Sequence, residues 1–200
     1  MMDRSLRQIK DQTLEPIVKK LSGRIHPLAI TLIGTVFALL AAFAAFQASY
    51  TIGLMFWLLN RMMDGLDGAY ARFWGKKSDL GGYVDTLSDF LAYTIIPLGF
   101  ALQSPTIPLL IIVAVLFGTF YVNAAAFMYL AAILERNTAN TSELTSLAMP
   151  RGIIEGGEAV IFFCSFFLFP NQVSLLFSLL AILVAATTVQ HIFWAIRNLD

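Results

Sequence analysis

Long apolar runs, separated by short polar or charged stretches, dominate the chain from residue 27 onward. Several runs reach the length of about twenty residues that an α-helix needs to cross a bilayer. The pattern predicts an all-α polytopic membrane protein in which residues 27–200 form a core of six transmembrane helices. The predicted helices lie at about 28–47, 51–73, 81–102, 107–134, 150–169 and 172–196.

Residues 1–26 have a different pattern, with basic side chains between apolar residues that recur every three to four positions, interrupted by Pro16. This predicts a short amphipathic segment that lies along the membrane surface before the first transmembrane helix. A solvated basic arm is the alternative. The segment lacks the apolar core of a signal peptide, so we expect none, and we expect residues 1–200 to form a single domain.

Composition supports the membrane interpretation, because 58% of the residues are hydrophobic and only 13% are charged. Ordinary soluble domains carry about 25% charged residues. The formal net charge is zero, and we expect no nucleic-acid partner. The single cysteine, Cys164, lies in an apolar run and cannot form a disulfide within the chain.

An acid-rich pattern lies where the second predicted helix ends and the third begins. It reads D-x2-D-G-x2-A-R-x8-G-x3-D-x3-D and runs from Asp64 to Asp89. The pairs Asp64/Asp67 and Asp85/Asp89 are three and four residues apart, so each pair shares one face of a helix. If the two helices are neighbours, four carboxylates converge and require a cation between them. An acidic loop that merely faces water is the alternative, which the regular spacing disfavours.

The chemistry of four converging carboxylates points to a hard divalent cation, Mg²⁺ first. Each charged residue held at membrane depth costs about 2.5–3.5 kcal/mol on insertion scales, and one or two bound ions would offset that cost. Such ions could also hold the two phosphates of a nucleotide diphosphate and neutralise the charge that develops on a leaving group.

The pattern resembles, at each of its eight fixed positions, the signature of the CDP-alcohol phosphotransferases, also called CDP-alcohol phosphatidyltransferases. The resemblance rests on residues 64–89 alone. It implies an enzyme that moves a phosphatidyl group from a CDP-alcohol, usually CDP-diacylglycerol, to an alcohol acceptor and releases CMP. It also implies Mg²⁺ or Mn²⁺, with two ions, and a homodimer in membrane lipid.

The resemblance also assigns roles to individual residues. Asp64, Asp67 and Asp85 would bind the metal, and Asp89 would be the general base near the acceptor and a further metal ligand. The residues that would bind the CDP moiety and its phosphates are Asp64, Asp67, Gly68, Ala71, Arg72 and Gly81.

A second charged group lies at the predicted start of the fifth helix. Arg151, Glu155 and Glu158 are spaced four and three residues apart, so all three can share a helical face. They form a candidate acceptor pocket whose mixed charge favours a neutral or zwitterionic alcohol. The alternative is a helix start whose acids interact with the positive end of the helix dipole.

The charge distribution predicts the orientation in the membrane. With six spans, the turns near 48–50, 103–106 and 170–172 share one side and contain no charged residue. All thirteen Lys and Arg residues fall on the other side or at helix ends that face it. Since Lys and Arg mark cytoplasmic segments, both termini and the acidic pattern are expected at the cytoplasmic face of a bacterial-type inner membrane.

Two other functions use the same residues. A small cation transporter could use the carboxylates as a transit site, but transport favours polar residues at mid-membrane, whereas these acids gather at one end. A catalytically silent membrane scaffold would not need an intact pattern. The change Asp89→Asn distinguishes an enzyme from a scaffold, because it should abolish CMP release by an enzyme and leave the function of a scaffold unaffected.

Overall fold

The computed structural model describes residues 16, 18–21, 23, 25–140 and 152–199. These residues contain no strand, and most of the predicted amphipathic segment 1–26 lies outside them. The described helices of thirteen residues or more are α1 (Pro27–Phe46), α2 (Tyr50–Phe73), α3 (Asp79–Gln103), α4 (Ile107–Asn140), α5 (Gly156–Leu168) and α6 (Val173–Asn198), with a 3₁₀ turn at Pro170–Gln172.

The predicted helix boundaries agree with the structure to within two residues at most ends, and two predictions are wrong. The fourth helix was expected to end at Leu134 but continues to Asn140. The fifth helix was expected to begin near Pro150, but residues 152–155 are non-helical and α5 begins at Gly156. Glu155 is the N-cap of α5, and its side chain takes part in a capping box that fixes the start of the helix there.

The chain divides into two compact units, residues 1–104 and 105–200. In the first unit, α1 packs against both α2 and α3. Its contact face is built from small side chains, so the helices approach closely: Ala38, Ala41 and Ala45 are fully buried. At Gly99 of α3, a Cβ atom would overlap the backbone carbonyl oxygen of Ala42.

The turns of the first unit follow from local hydrogen bonding. At the end of α2 the backbone enters the left-handed region at Gly75, with φ 64°. The amide of Lys76 then bonds to the carbonyl of Ala71 at 2.8 Å, which closes a Schellman motif. Ser78 begins α3 as its N-cap, because its hydroxyl accepts a hydrogen bond of 3.1 Å from the amide of Gly81.

In the second unit, α4 packs against α6. The hydroxyl of Thr188 on α6 donates to Oδ1 of Asn123 on α4 at 3.1 Å, a polar contact between two apolar helices. Phe163 and Phe166 of α5 and Phe177 of α6 are completely buried. The rings of Phe166 and Phe177 meet edge to face with centroids 4.7 Å apart, so aromatic packing joins α5 to α6.

Three described helices are long and apolar enough to span a membrane, at Pro27–Phe46, Ile107–Arg136 and Pro170–Asn198. Gly156–Leu168 is apolar but shorter. Large apolar side chains on these helices point outward, among them Phe43 at 60% and Ile107 at 76% exposure. Such a surface suits lipid rather than water. The prediction of an all-α membrane protein is confirmed, and the six-span arrangement stays a prediction.

Candidate active site

The last turns of α2 and the first turns of α3 bring the four aspartates of the pattern into one region. Asp67 is buried, with 5% of its surface exposed, whereas Asp64, Asp85 and Asp89 are half-buried. The carboxylate of Asp85 lies within electrostatic range of the other three. We name Asp64, Asp67, Asp85 and Asp89 the acid cluster. Its negative charges repel each other, so the cluster favours a cation.

Two threonines, one turn apart on α1, donate hydrogen bonds to the helices that carry the acid cluster. The hydroxyl of Thr31 donates to Oδ2 of Asp67 at 2.6 Å in the buried interface with α2. The hydroxyl of Thr35 donates to Oγ of Ser88 on α3 at 2.9 Å. One face of α1 therefore contacts both helices that carry the aspartates and fixes their registers.

Arg61 lies beside the acid cluster, one turn before Asp64 on α2. Its terminal nitrogen forms an ion pair of 2.7 Å with Oδ1 of Asp89 on α3. Its Nε donates to Oδ1 of Asn60 at 2.8 Å, and the amide nitrogen of Asn60 donates to the carbonyl of Gly34 at 2.8 Å. A chain of hydrogen bonds therefore runs from the backbone of α1 to the carboxylate of Asp89.

The predicted CDP-binding residues lie on the two helices of the acid cluster. Gly68 and Arg72 are one turn apart, and the guanidinium of Arg72 lies against Gly68, where a Cβ atom would come within 3.0 Å of it. Ala71 is half-buried on the same part of α2. Gly81 lies in the first turn of α3 and donates its amide to Ser78. Arg72 can offer its fork of donors to a phosphate or a carboxylate.

The described part of the N-terminal segment packs against the end of α2. Val18 and Tyr70 are buried together in an apolar cluster with Leu66. The Tyr70 hydroxyl donates to the carbonyl of Ile25 at 3.0 Å, and Nζ of Lys76 donates to the same carbonyl at 3.0 Å and also to that of Gly23. These bonds fasten the segment before α1 to the helix that carries Asp64 and Asp67.

The predicted acceptor pocket lies in the second unit and contains a helix cap. The amide of Gly152 donates to Oε1 of Glu155, and the amide of Glu155 donates to Oε2 of Glu158, both at 3.1 Å. Ile154 donates its amide to Thr187 of α6 at 3.0 Å. Arg151 lies outside the described residues. The two glutamates thus have a capping role, which leaves a role in acceptor binding a prediction.

The acid cluster fits a divalent cation by its donor chemistry, since carboxylate oxygens are the ligands that Mg²⁺ and Mn²⁺ prefer. Among the described residues, however, no three His, Cys, Asp or Glu side chains form a group compact enough to hold a metal ion. Asp67 bonds to Thr31 and Asp89 pairs with Arg61. The carboxylates would have to close around an ion as it binds.

The sequence pattern assigns no role to three residues that support the site: Thr31, Thr35 and Arg61. Thr31 and Thr35 are four residues apart in the apolar run of α1, a spacing that places both on one face. Arg61 is a charge inside an otherwise apolar stretch, and such a residue is expected to have a partner or a function. The sequence shows the spacing of the two threonines and the position of Arg61. It does not show their partners, which lie on other helices.

A comparison with protein families gives one match over most of the chain. The family model described as CDP-alcohol phosphatidyltransferase matches residues 24–195. The inner membrane protein YnjF of Escherichia coli is 33% identical over 173 residues, which cover 85% of this chain and 83% of that protein. The archaetidylinositol phosphate synthase of Pyrococcus horikoshii is 31% identical over 192 residues, which cover 94% of each.

Solved structures show the same fold. The phosphatidylinositol phosphate synthase of Mycobacterium tuberculosis with CDP-DAG bound superposes with a TM-score of 0.70 at 21% identity, over 93% of this chain and 92% of that one. The same enzyme in complex with manganese and citrate gives a TM-score of 0.68 at 21% identity, over 92% and 85% of the two chains.

Proposed function

Because this chain belongs to the CDP-alcohol phosphatidyltransferase family, we propose that CDP-diacylglycerol is its donor and that the acid cluster carries the reaction. The chain is an integral membrane transferase of phospholipid synthesis, which moves a phosphatidyl group from a CDP-alcohol to an alcohol acceptor. The observation that carries the proposal is that Asp64, Asp67 and Asp89 all lie within electrostatic range of Asp85, on two helices of one apolar unit.

The reaction proposed for the site is a single displacement at phosphorus. The acceptor oxygen forms a bond to the phosphorus that carries diacylglycerol, and the bond from that phosphorus to the oxygen of CMP breaks. Asp89 takes the proton of the acceptor hydroxyl as general base. The products are CMP and a phospholipid in which the acceptor is the new headgroup, so no covalent enzyme intermediate is needed.

Asp64, Asp67, Asp85 and Asp89 are the proposed ligands of two divalent ions, Mg²⁺ or Mn²⁺. The all-carboxylate donor set supports this assignment, as does the manganese in the complex of the mycobacterial enzyme. When bound, the ions supply positive charge that stabilises the diphosphate and the departing CMP. Gly68, Ala71, Arg72 and Gly81 are proposed to shape the site for the cytidine and its phosphates. For Arg72 the support is its position against Gly68 within the pattern.

The proposed topology has six spans and one domain, with the acid cluster and both termini on the cytoplasmic side of the membrane. The family match from residue 24 to residue 195 includes both compact units, which supports one domain. The segments that join α1 to α2, α3 to α4 and α5 to α6 contain no Lys or Arg, which supports their position on the far side. A homodimer is part of the proposal and rests on the family resemblance alone.

For the acceptor we propose a neutral or zwitterionic alcohol. The negative charge of Glu155 and Glu158 at the start of α5 supports it, because like charges disfavour a phosphorylated acceptor. Inositol phosphate is the second candidate. The observation that favours it is the 31% identity, over 94% of both chains, to a synthase of archaetidylinositol phosphate.

The proposal is tested by CMP release from the purified protein in lipid, with CDP-diacylglycerol and Mn²⁺ or Mg²⁺. The acceptors are glycerol, serine, inositol, choline and ethanolamine, with glycerol 3-phosphate and inositol phosphate as the phosphorylated pair. We expect metal-dependent release with one of the five unphosphorylated alcohols. Release with inositol phosphate alone would overturn our choice of acceptor, and no release with any acceptor would overturn the proposed donor.

A further inference from the structure

We propose that Arg61 is a positioning residue that orients the carboxylate of Asp89 and serves as an internal counter-cation of the acid cluster. The part of this inference that concerns catalysis rests on the proposed function. The electrostatic part rests on the geometry of Arg61 and can be tested without any substrate.

The side chain of Arg61 is held on several sides. It is 12% exposed and forms the 2.7 Å ion pair with Asp89, whose side chain is 33% exposed. Its guanidinium carbon lies 4.6 Å from the centroid of the Trp57 ring and 5.8 Å from that of Tyr93. Trp57 is completely buried, and a cation over an aromatic face in a desolvated site is stabilised by the ring quadrupole.

The hydrogen bonds of Arg61 give its charged end a fixed direction. Nε donates to Asn60, which is itself bonded to the backbone of α1 at Gly34. A second nitrogen of the same planar group donates to Asp89. Since the nitrogens of a guanidinium lie in one rigid plane, holding Nε on Asn60 sets the direction from which the carboxylate of Asp89 is bound. A lysine could not make both bonds from fixed positions.

Arg61 also lies close to the other members of the acid cluster. Besides its ion pair with Asp89, it lies within electrostatic range of Asp64 and Asp85. Repulsion between carboxylates out of full contact with water is strong, and a guanidinium held against the rings of Trp57 and Tyr93 lowers it whether or not an ion is bound. This gives the cluster a defined structure before a metal arrives.

The first test measures thermal unfolding in lipid with EDTA present, so it does not depend on turnover. We compare Asp89→Asn in two backgrounds, the native chain and Arg61→Met. In the native background the change should lower the melting temperature, because Arg61 loses its ion pair with Asp89. In the Arg61→Met background it should raise the melting temperature, because one of the mutually repelling negative charges is removed. A shift in the same direction in both backgrounds overturns the proposal.

The comparison of Asp89→Asn in the two backgrounds still tests the proposal if Arg61→Met alone does not fold. Recovery of a folded protein in the double variant Arg61→Met/Asp89→Asn would then support the proposal. If neither variant folds, Asp89→Asn is compared in the native chain and in Arg61→Lys. An equal change of melting temperature in these two backgrounds overturns the proposal. Adding Mn²⁺ should raise the melting temperature of Arg61→Met more than that of native protein, and an equal rise counts against the proposal.

The second test is kinetic and separates positioning from stability. Arg61→Lys keeps the positive charge but loses the planar guanidinium with its several donors. We expect kcat for CMP release to fall about 100-fold, as for a misplaced catalytic group. KM for CDP-diacylglycerol should change little. The matched control is Arg197→Met, an exposed cation on α6, which should leave kcat unchanged. Full kcat in Arg61→Lys overturns the positioning role. Native protein that releases no CMP from CDP-diacylglycerol with any acceptor overturns the proposed donor instead, and the melting cycle remains valid.

Discussion

The hydroxyl of Thr31 lies 2.6 Å from Oδ2 of Asp67, and the two residues are 36 positions apart in the chain. Both side chains are buried, with 6% and 5% of their surface exposed. A buried carboxylate keeps its orientation only when donors hold it, and a hydrogen bond to a charged acceptor contributes about 1.5–3 kcal/mol. The bond therefore fixes a proposed metal ligand against the central helix of its unit.

The change Thr31→Val removes this donor while keeping the shape of the side chain. We expect the melting temperature to fall and the Mn²⁺ concentration needed for half-maximal CMP release to rise, because Asp67 loses a group that orients it. Thr31→Ser retains the hydroxyl and should behave nearly as the native chain. Equal metal requirements in Thr31→Val and Thr31→Ser would contradict the role given to this bond.

Asp85 should show opposite effects on stability and on activity. Its carboxylate is partly buried and lies within electrostatic range of three others of like charge, so Asp85→Asn removes a poorly hydrated, repelled charge and should raise the melting temperature in EDTA. The same change removes a proposed metal ligand and should reduce CMP release at least about 100-fold. Trade-offs of this kind mark functional groups held in unfavourable surroundings.

The control for Asp85→Asn is Asp79→Asn. Asp79 is an exposed acid in the first turn of the same helix and lies outside the pattern. Its replacement should leave CMP release unchanged. A fall in the EDTA melting temperature of Asp85→Asn would show that the cluster is not strained by like charges.

Lys76 fastens the N-terminal segment to the end of α2. In Lys76→Met the carbonyls of Gly23 and Ile25 lose a charged donor. Hydrogen bonds to a charged group contribute about 1.5–3 kcal/mol, so local opening should increase about tenfold or more. We expect faster trypsin cleavage after Lys19 and Lys20, both exposed, measured by mass spectrometry of the fragments. The control is Lys77→Met, which changes an exposed lysine. Equal cleavage rates in the two variants would contradict the fastening role given to Lys76.

Glu155 has two competing roles that one substitution can separate. Serine is a good N-cap, so Glu155→Ser should keep the melting temperature within about 1 °C of native while it removes the charge. If Glu155 lines the acceptor pocket, as predicted, KM for the acceptor changes and KM for CDP-diacylglycerol does not. Unchanged values of both constants would leave Glu155 with its capping role alone.

The sequence predicted the helices, and which aspartates share a helical face, because both depend on local spacing. Apolar runs of sufficient length define the spans, and intervals of three and four residues place Asp64 with Asp67 and Asp85 with Asp89. The start of α5 was missed because Pro150 is a common first helical residue. The capping pair at Glu155 and Glu158 competes with that signal and determines where the helix begins.

The contacts that support the site could not be predicted from spacing. Arg61 and Asp89 are 28 residues apart and lie on different helices, so their ion pair depends on how α2 and α3 pack against α1. The bond from Thr31 to Asp67 depends on the same packing. Pattern analysis identified the carboxylates of the candidate site, and the tertiary structure was needed to identify Arg61 and Thr31 as the residues that orient them.

The most direct test of the central claim is the fate of two labelled phosphates. CDP-diacylglycerol carrying ³²P either next to cytidine or next to diacylglycerol is incubated with protein, Mn²⁺ and the active acceptor. Phosphatidyl transfer predicts that the first label appears in CMP and the second in a new phospholipid, and that EDTA or Asp89→Asn abolishes both. Appearance of the second label in a water-soluble product, or transfer that persists in EDTA, would contradict the account.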